Sequence, residues 1–567
     1  VRRFAVLTAV VAAVLTLPAA AWAHAALLHT VPVASGTVNT APPEVQLTYS
    51  EPIEPRFAIV SVTDAAGRQV TSGQPATAPG SPQTLATPLK HVPEGWYLVF
   101  WRVISADGHP VRGAFTFAVG PNPGPQPQFR VPSLSETATT TRLLISRWAV
   151  FLSVLTALGL FVLRALIVRP VARVVSGTSL RPLNIAFAVA VAVALLAIPV
   201  YVVVATAQFT LRSVFDLGAI VPVARDSSFG RDFLDLELVF ALFAAAAGSA
   251  LFVDRPEREL RSVAELLALP AALAAGVAVL LLPALAGHAG QKSPRGLSLP
   301  LDMAHLGAVA VWLGGLIGLV VLWLSVARAA RSAVLAYVVP RFSAVAFCSV
   351  LLLIGTGTGQ ALLEIPTLAS LWQTSYGQAL LWKIGLLAAA LVLAGVNLAR
   401  TKPRLQARDP SAPVLLRRLV QGEIVFVVAA LFAAAVLSSL APPSSALANV
   451  QNVAAHVGPG PVTATVAKSP YKVRVRVTPN RAAVPNAFSL ELTRNGKAVP
   501  GAEVITKFDM LDMTMPEQSY RLREQRPGVF SNSAPALVMV GHWGLQFEVT
   551  PPGGKPFVVT LLDKASG

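Results

Sequence analysis

A histidine that begins a processed chain can chelate a metal through two nitrogens, its α-amine and its imidazole Nδ1. His24 fits this role, because Ala21-Trp22-Ala23 ahead of it reads as an A-x-A-type signal cleavage site. The amine carries an intrinsic pKa near ~7.7–8, so a bound metal must displace a proton and binding weakens in acid. A second imidazole would complete a T-shaped nitrogen set, which suits the tetragonal N/O preference of Cu(II). Ser105-Ala106-Asp107-Gly108-His109-Pro110 supplies one. Asp107 and His109 are two apart, so on an extended segment they share a face, and the carboxylate adds an oxygen ligand. Alone, this Asp-Gly-His run reads equally as a solvated turn; a processed N-terminal His makes the set far more specific.

Two further histidines fall at the outer ends of apolar runs, where ionisable groups are costly and therefore functional candidates. His288 stands in Leu285-Ala286-Gly287-His288-Ala289 and His305 in Asp302-Met303-Ala304-His305-Leu306. Asp302 and His305, three apart on a helix, are neighbours. Two readings stand side by side: a metal entry site built from His288 and His305, or a helix-capping His288 with His305 in an interhelical hydrogen bond. Lys383 and Glu423 are expected to form an interhelical pair, and Cys348 to be a small core residue. A third cluster is soft. Four of the five methionines are Met510, Met513, Met515 and Met539, with His542 close behind. Thioether sulfur suits Cu(I), so the group is a candidate Cu(I) site, against the plainer reading of methionine filling core gaps.

These residues must be held by a membrane protein. The 567 residues are 54% apolar and 13% charged, with a mean hydropathy of +0.62, whereas a soluble chain carries roughly 25% charged residues. A single Cys excludes a disulfide framework and any multi-Cys zinc or iron–sulfur site. Residues 1–23 read as a signal peptide. Eight apolar runs, each near the ~20 residues a spanning helix needs, centre on 143–167, 183–208, 233–253, 263–287, 301–326, 338–363, 376–399 and 418–441. With the N-terminal domain outside, the odd-numbered connections carry sixteen Arg or Lys residues and the even ones five. This positive-inside bias accounts for much of the +17 net charge without nucleic acid, and it returns the C-terminal domain to the outside. No Walker loop or phosphorylatable Asp-Lys-Thr-Gly segment is present, so ATP is not the direct drive.

Residues 24–119 alternate in short runs such as VQLTYS, FAIVSVTD and GAFTFAVG, and residues 470–567 do likewise in YKVRVRV and WGLQFEV. Each predicts a β-sandwich or barrel. Linkers are expected at 120–140 and 442–469, flanking the eight-helix segment 141–441. The fold class is thus a multidomain membrane protein: an all-β domain, an α-helical eight-span domain, then an all-β sandwich-like domain.

His24-Ala25-Ala26-Leu27-Leu28, Tyr49-Ser50-Glu51-Pro52 and Trp101-Arg102-Val103-Ile104-Ser105-Ala106-Asp107-Gly108-His109-Pro110 resemble the CopC copper-binding family. The resemblance implies His24, Asp107 and His109 as Cu(II) ligands. No Met lies between 24 and 119, so the Met-rich Cu(I) site of some CopC members is expected to be missing. His288 in Gly-His-Ala, His305 with Trp312-Leu313-Gly314-Gly315, and Tyr376-Gly377-Gln378-Ala379-Leu380-Leu381-Trp382-Lys383 resemble the CopD membrane family. Asp509-Met510-Leu511-Asp512-Met513-Thr514-Met515-Pro516 and Met539-Val540-Gly541-His542-Trp543 resemble YtkA-like domains. A CopC domain ahead of a CopD domain is the arrangement of YcnJ-like copper acquisition proteins. It implies capture of Cu(II) outside the cytoplasmic membrane and passage of copper inward, with extracytoplasmic buffering or efflux as the alternative. Expected partners are copper ions, the lipid bilayer and other copper chaperones, with no nucleic acid. An enzyme is not expected: a His brace of the oxygen-activating kind needs coordination space that Asp107 would fill.

Overall fold

The computed structural model describes residues 27–566 except 35, 50–52, 105–109, 125–126, 128–139, 176–177, 211, 256–261, 287–294, 408, 410, 441–442, 444–452, 483, 513–517, 535 and 539. The expected signal peptide and the sites at His24, Asp107, His109, His288, Met513, Met515 and Met539 lie outside the described residues. The chain divides into two compact units, one helical and one made of β-strands.

The N-terminal β domain holds β1 (Leu27–Val31), β2 (Thr37–Val38), β3 (Glu44–Tyr49), β4 (Ile59–Asp64), β5 (Ala76–Ala78), β6 (Ser81–Pro88), β7 (Gly95–Ile104) and β8 (Pro110–Val119). They form two four-stranded sheets, ordered β1-β3-β6-β5 and β2-β8-β7-β4. Alternation explains the sandwich: Val45, Leu47 and Tyr49 are fully buried while Glu44, Gln46 and Thr48 between them reach the surface region. Trp101 of one sheet meets Tyr49 of the other edge-on, with ring centroids 5.7 Å apart.

The C-terminal domain contributes β9 (Val453–Val457), β10 (Val462–Lys468), β11 (Tyr471–Thr478), β12 (Asn486–Arg494), β13 (Lys497–Ala498), β14 (Glu503–Met510), β15 (Gln518–Arg526), β16 (Val529–Ala534), β17 (Gly541–Thr550) and β18 (Phe557–Ala565). One continuous sheet runs β10-β11-β12-β16-β15-β14-β17-β18-β9, with β13 paired to β12. Two of these strands, β9 and β10, occupy the segment 442–469 expected to be a linker. Val-Thr-Ala-Thr-Val-Ala-Lys has strand alternation, and the Pro and Gly of 458–461 serve the turn between the two strands.

Strand β7 is buried along almost its whole length. Tyr97, Val99, Trp101 and Val103 fill the sandwich, so Leu98 and Phe100 point the other way. They pack with Ala114 and with Ala482 of the C-terminal domain. The Ala114 N–H donates to the Val538 carbonyl at 3.3 Å, and the apolar cores of the two domains join in one cluster. Two outer domains expected as separate bodies therefore pack as one.

Among the described residues the helical unit has eight helices long and apolar enough to cross a membrane: Thr141–Val174, Arg181–Thr210, Phe229–Val253, Val263–Leu285, Gly296–Ser325, Arg328–Glu364, Ser375–Gln406 and Ala412–Leu437. The first and fifth spans cross where Gly159 and Gly314 meet. A Cβ on Gly314 would stand 2.5 Å from the Gly159 Cα, so the crossing requires two glycines. At one end of the unit, Arg164 and Arg169 of the first span are buried in an ion-pair network. Both reach Asp254, and Arg169 also pairs with Glu265 at 3.0 Å. Arg164 donates to Asn184 at 2.9 Å, which ties in the second span. Both arginines count as loop charges in a hydropathy reading; the structure places them inside the first span, paired with Asp254 of the third connection and Glu265 in the first turn of the fourth span. Cys348, expected in the core, is exposed on the sixth span.

Candidate metal centres

The outer domain brings the flanks of its expected ligands to one end. Antiparallel pairing of β7 and β8 extends to Ile104 opposite Pro110, so residues 105–109 connect the two strands there. The Glu54 N–H donates to the Ile104 carbonyl at 3.2 Å, so the chain leaving β3 passes the same end. Leu27 pairs with Tyr49, the last residue of β3. Leu27, Ile104 and Pro110, the described residues that flank the expected ligands, therefore stand at the same end of the sandwich, and the ligands themselves lie outside the described residues. Beside that connection, Arg102 lies opposite Arg112. Burial, helped by the Arg112 charge, holds Arg102 down at about 10, and burial lowers Arg112 as well. Both remain cations at neutral pH.

Inside the helical unit the structure assembles a polar cluster that the sequence shows only in pieces. His305, on the fifth span, is buried, and its Nδ1 lies 3.0 Å from Oγ1 of Thr356 on the sixth. The Thr356 hydroxyl spends its one hydrogen on the Leu352 carbonyl at 2.7 Å, with Leu353 at 3.3 Å as a second acceptor. Towards His305 the hydroxyl can then only accept, so Nδ1 carries the proton and Nε2 keeps its lone pair. An imidazole in that tautomer is prepared to bind a metal. Gly357 lets the ring seat closely on the sixth span, since a Cβ there would stand 3.3 Å from Cε1.

Asp302, one turn before His305, accepts from Gln360 Nε2 at 3.0 Å. Lys383 of the seventh span is half-buried within electrostatic reach of both His305 and Asp302. The expected Lys383–Glu423 pair is not formed: Glu423 accepts instead from Asn397 at 3.0 Å. Lys383 sits in the first half of the seventh span and Asn397 in its second half, so they lie at different depths. Of the two readings of His305, the interhelical bond is present, and it leaves Nε2 available for the other.

In the C-terminal domain, Met510 and His542 come to one end of β14 and β17. Met510 pairs with Trp543, and the Leu511 N–H donates to the His542 carbonyl at 2.8 Å. Met510 is buried with its methyl against Gly541, where an added Cβ would sit 2.6 Å away. His542 Nδ1 lies 3.0 Å from Asp512 Oδ2, and its backbone N–H donates to the same oxygen at 2.8 Å. Asp512 orients this histidine, and the sequence reading passed over it although it directly precedes Met513. Nearby, burial pushes Asp563 up to about 6, against the lowering effects of the Asn480 hydrogen bond and the His542 charge. Among the described residues no three His, Cys, Asp or Glu side chains converge as a ready metal cage.

Three family models match in order: the CopC domain over residues 27–120, copper resistance protein D over 336–437, and YtkA-like over 465–548. The second takes in Thr356, Gln360 and Lys383. Copper transport protein CutJ of Bacillus subtilis (strain 168) is 26% identical over 549 residues, 94% of each chain. Copper resistance protein C of Escherichia coli is 35% identical over 106 residues, 18% of this chain and 83% of that protein. Protein YobA of Escherichia coli (strain K12) is 33% identical over 99 residues, 17% of this chain and 80% of its own. Through residues 27–120 the chain belongs to the CopC family, and it carries CopD and YtkA-like domains in order behind that one.

Proposed function

We propose that this protein captures Cu(II) at its N-terminal domain outside the cytoplasmic membrane and passes copper inward through the eight spans. The observation that carries the reading is the His305 cluster. A buried imidazole in an apolar helix is costly unless it does something, and here Thr356 leaves its Nε2 as a free donor. Asp302 adds a carboxylate one turn away, and the Lys383 cation nearby sets a charge that an entering copper ion must face. The likeness to CutJ, a copper transport protein by name, supports the same direction of argument.

His24, Asp107 and His109 are the Cu(II) ligands in this reading, and His288 joins His305 at the membrane entry. Met510, Met513, Met515, Met539 and His542 form a second, Cu(I)-selective site, with Asp512 orienting His542. Both β domains lie outside and act as one body, so copper has a short route between them. No enzymatic step is proposed.

The test is copper content in cells lacking the protein and complemented with the native chain or with His305→Ala. Cytoplasmic copper falls on deletion, returns with the native chain and stays low with the variant. A rise on deletion would establish efflux or buffering in place of uptake, and full rescue by His305→Ala would remove the membrane site.

A further inference from the structure

At one end of the helical unit three residues from three spans meet without an acid. Trp323 is in the last turn of the fifth span, Arg331 in the first turn of the sixth and Arg417 in the second turn of the eighth. The Arg331 guanidinium carbon lies 4.2 Å from the Trp323 ring centroid and that of Arg417 lies 4.3 Å away. Two cations are thus stacked on one indole, each attracted to its π-face and each repelling the other. Arg331 donates to the Val326 carbonyl at 3.0 Å. Arg417 makes no hydrogen bond or ion pair among the described residues, and neither arginine meets a carboxylate there. Their Nε atoms and the Trp323 Nε1 are buried without partners among the described residues, while Arg417 as a whole is half-buried.

We propose that Trp323, Arg331 and Arg417 form a binding site for the phosphate of an anionic phospholipid headgroup. Planar guanidinium groups present paired N–H donors that match phosphate oxygens, and one phosphate between two of them removes their mutual repulsion. Stacking on Trp323 fixes both side chains before the anion arrives, so little rotamer freedom remains to be lost. The position is that of a headgroup: all three residues stand at span ends, where tryptophan and arginine collect at the membrane interface. The same helices continue the site with apolar surface for acyl chains. On the membrane side of the stack, Val345 of the sixth span is 36% exposed and Val425 of the eighth is 64% exposed. A soluble phosphate would use the guanidinium groups and leave those side chains uncovered.

The full chain, purified in a neutral detergent, is titrated with phosphatidylglycerol or phosphatidylcholine, and the phosphatidylglycerol-loaded chain is then titrated with inorganic phosphate in the same detergent. Retained lipid is read by native mass spectrometry. Phosphatidylglycerol is held in preference to phosphatidylcholine, and Arg331→Gln with Arg417→Gln weakens it by about tenfold or more, each arginine near a headgroup contributing about fivefold. Arg418→Gln, an exposed neighbour outside the stack, changes retention little. Equal retention of the two lipids by the native chain overturns the proposal whether or not the double variant folds. Inorganic phosphate displacing phosphatidylglycerol at similar concentration would make the site one for a soluble anion and overturn the lipid assignment.

Discussion

Thr356→Val separates the shape of the sixth span from the chemistry that it offers to His305. Valine replaces the hydroxyl with a methyl of similar size, so the packing beside Gly357 is preserved while the acceptor for Nδ1–H disappears. The imidazole N–H then faces hydrocarbon 3.0 Å from its former partner, and leaving a buried donor unmade costs about 1–3 kcal/mol. Moving the proton to Nε2 relieves that cost but removes the lone pair from the nitrogen that faces away from the sixth span. Loss of a comparable orienting partner typically costs about 10–100-fold in metal affinity. Copper uptake into proteoliposomes, measured against copper concentration, should show its half-saturation point rise by about tenfold or more with Thr356→Val and recover with Thr356→Ser. ¹⁵N NMR of labelled histidine should show His305 leaving the Nδ1–H form in the valine variant alone. Unchanged half-saturation together with an unchanged tautomer would refute the argument that Thr356 prepares His305.

Three other outcomes follow from the same structure. Cu(II) bound to signal-processed residues 24–120 should give a tetragonal multi-nitrogen EPR spectrum that loses nitrogen coupling in His109→Ala, and one residue added before His24 should abolish tight binding. Asp254→Asn leaves Arg164 and Arg169 buried without their shared carboxylate, which should lower stability by about 3–5 kcal/mol, read as a large drop in thermal unfolding temperature in detergent. Asp563 titrates near 3.8 when unfolded and at about 6 in the fold, so the folded chain holds this proton more tightly. Its contribution is fully present below about pH 4 and lost as pH rises to about 6, on the order of 3 kcal/mol; Asp563→Asn should flatten that part of the stability–pH curve, measured by denaturant unfolding.

The family likeness was legible because its motifs are residue types at short spacing. The expected donors, His24, the Asp107–His109 pair and the methionines of an otherwise Met-poor chain, were singled out in the same way and remain proposals. Eight spans were legible for the same reason: a bilayer demands a length and a composition that local sequence displays. Strands β9 and β10 escaped because Pro and Gly at the turn between them outweighed the alternation on either side.

What the sequence determined alone is the local chemistry of each donor and the number of spans, since both arise within about twenty residues. Partnership was decided only by the tertiary structure. Thr356 meets His305 from 51 residues away, and Arg169 meets Glu265 across 96. Lys383 lies within electrostatic reach of Asp302 and His305, while Glu423 goes to Asn397, because depth in the bundle selects partners and spacing along the chain does not record depth. The outer face of β7 is buried for a like reason: its cover, Ala482, arrives after the whole membrane domain has intervened in the chain. Side chains separated by hundreds of residues meet according to how helices and sheets pack, and packing is a property of the assembled surfaces.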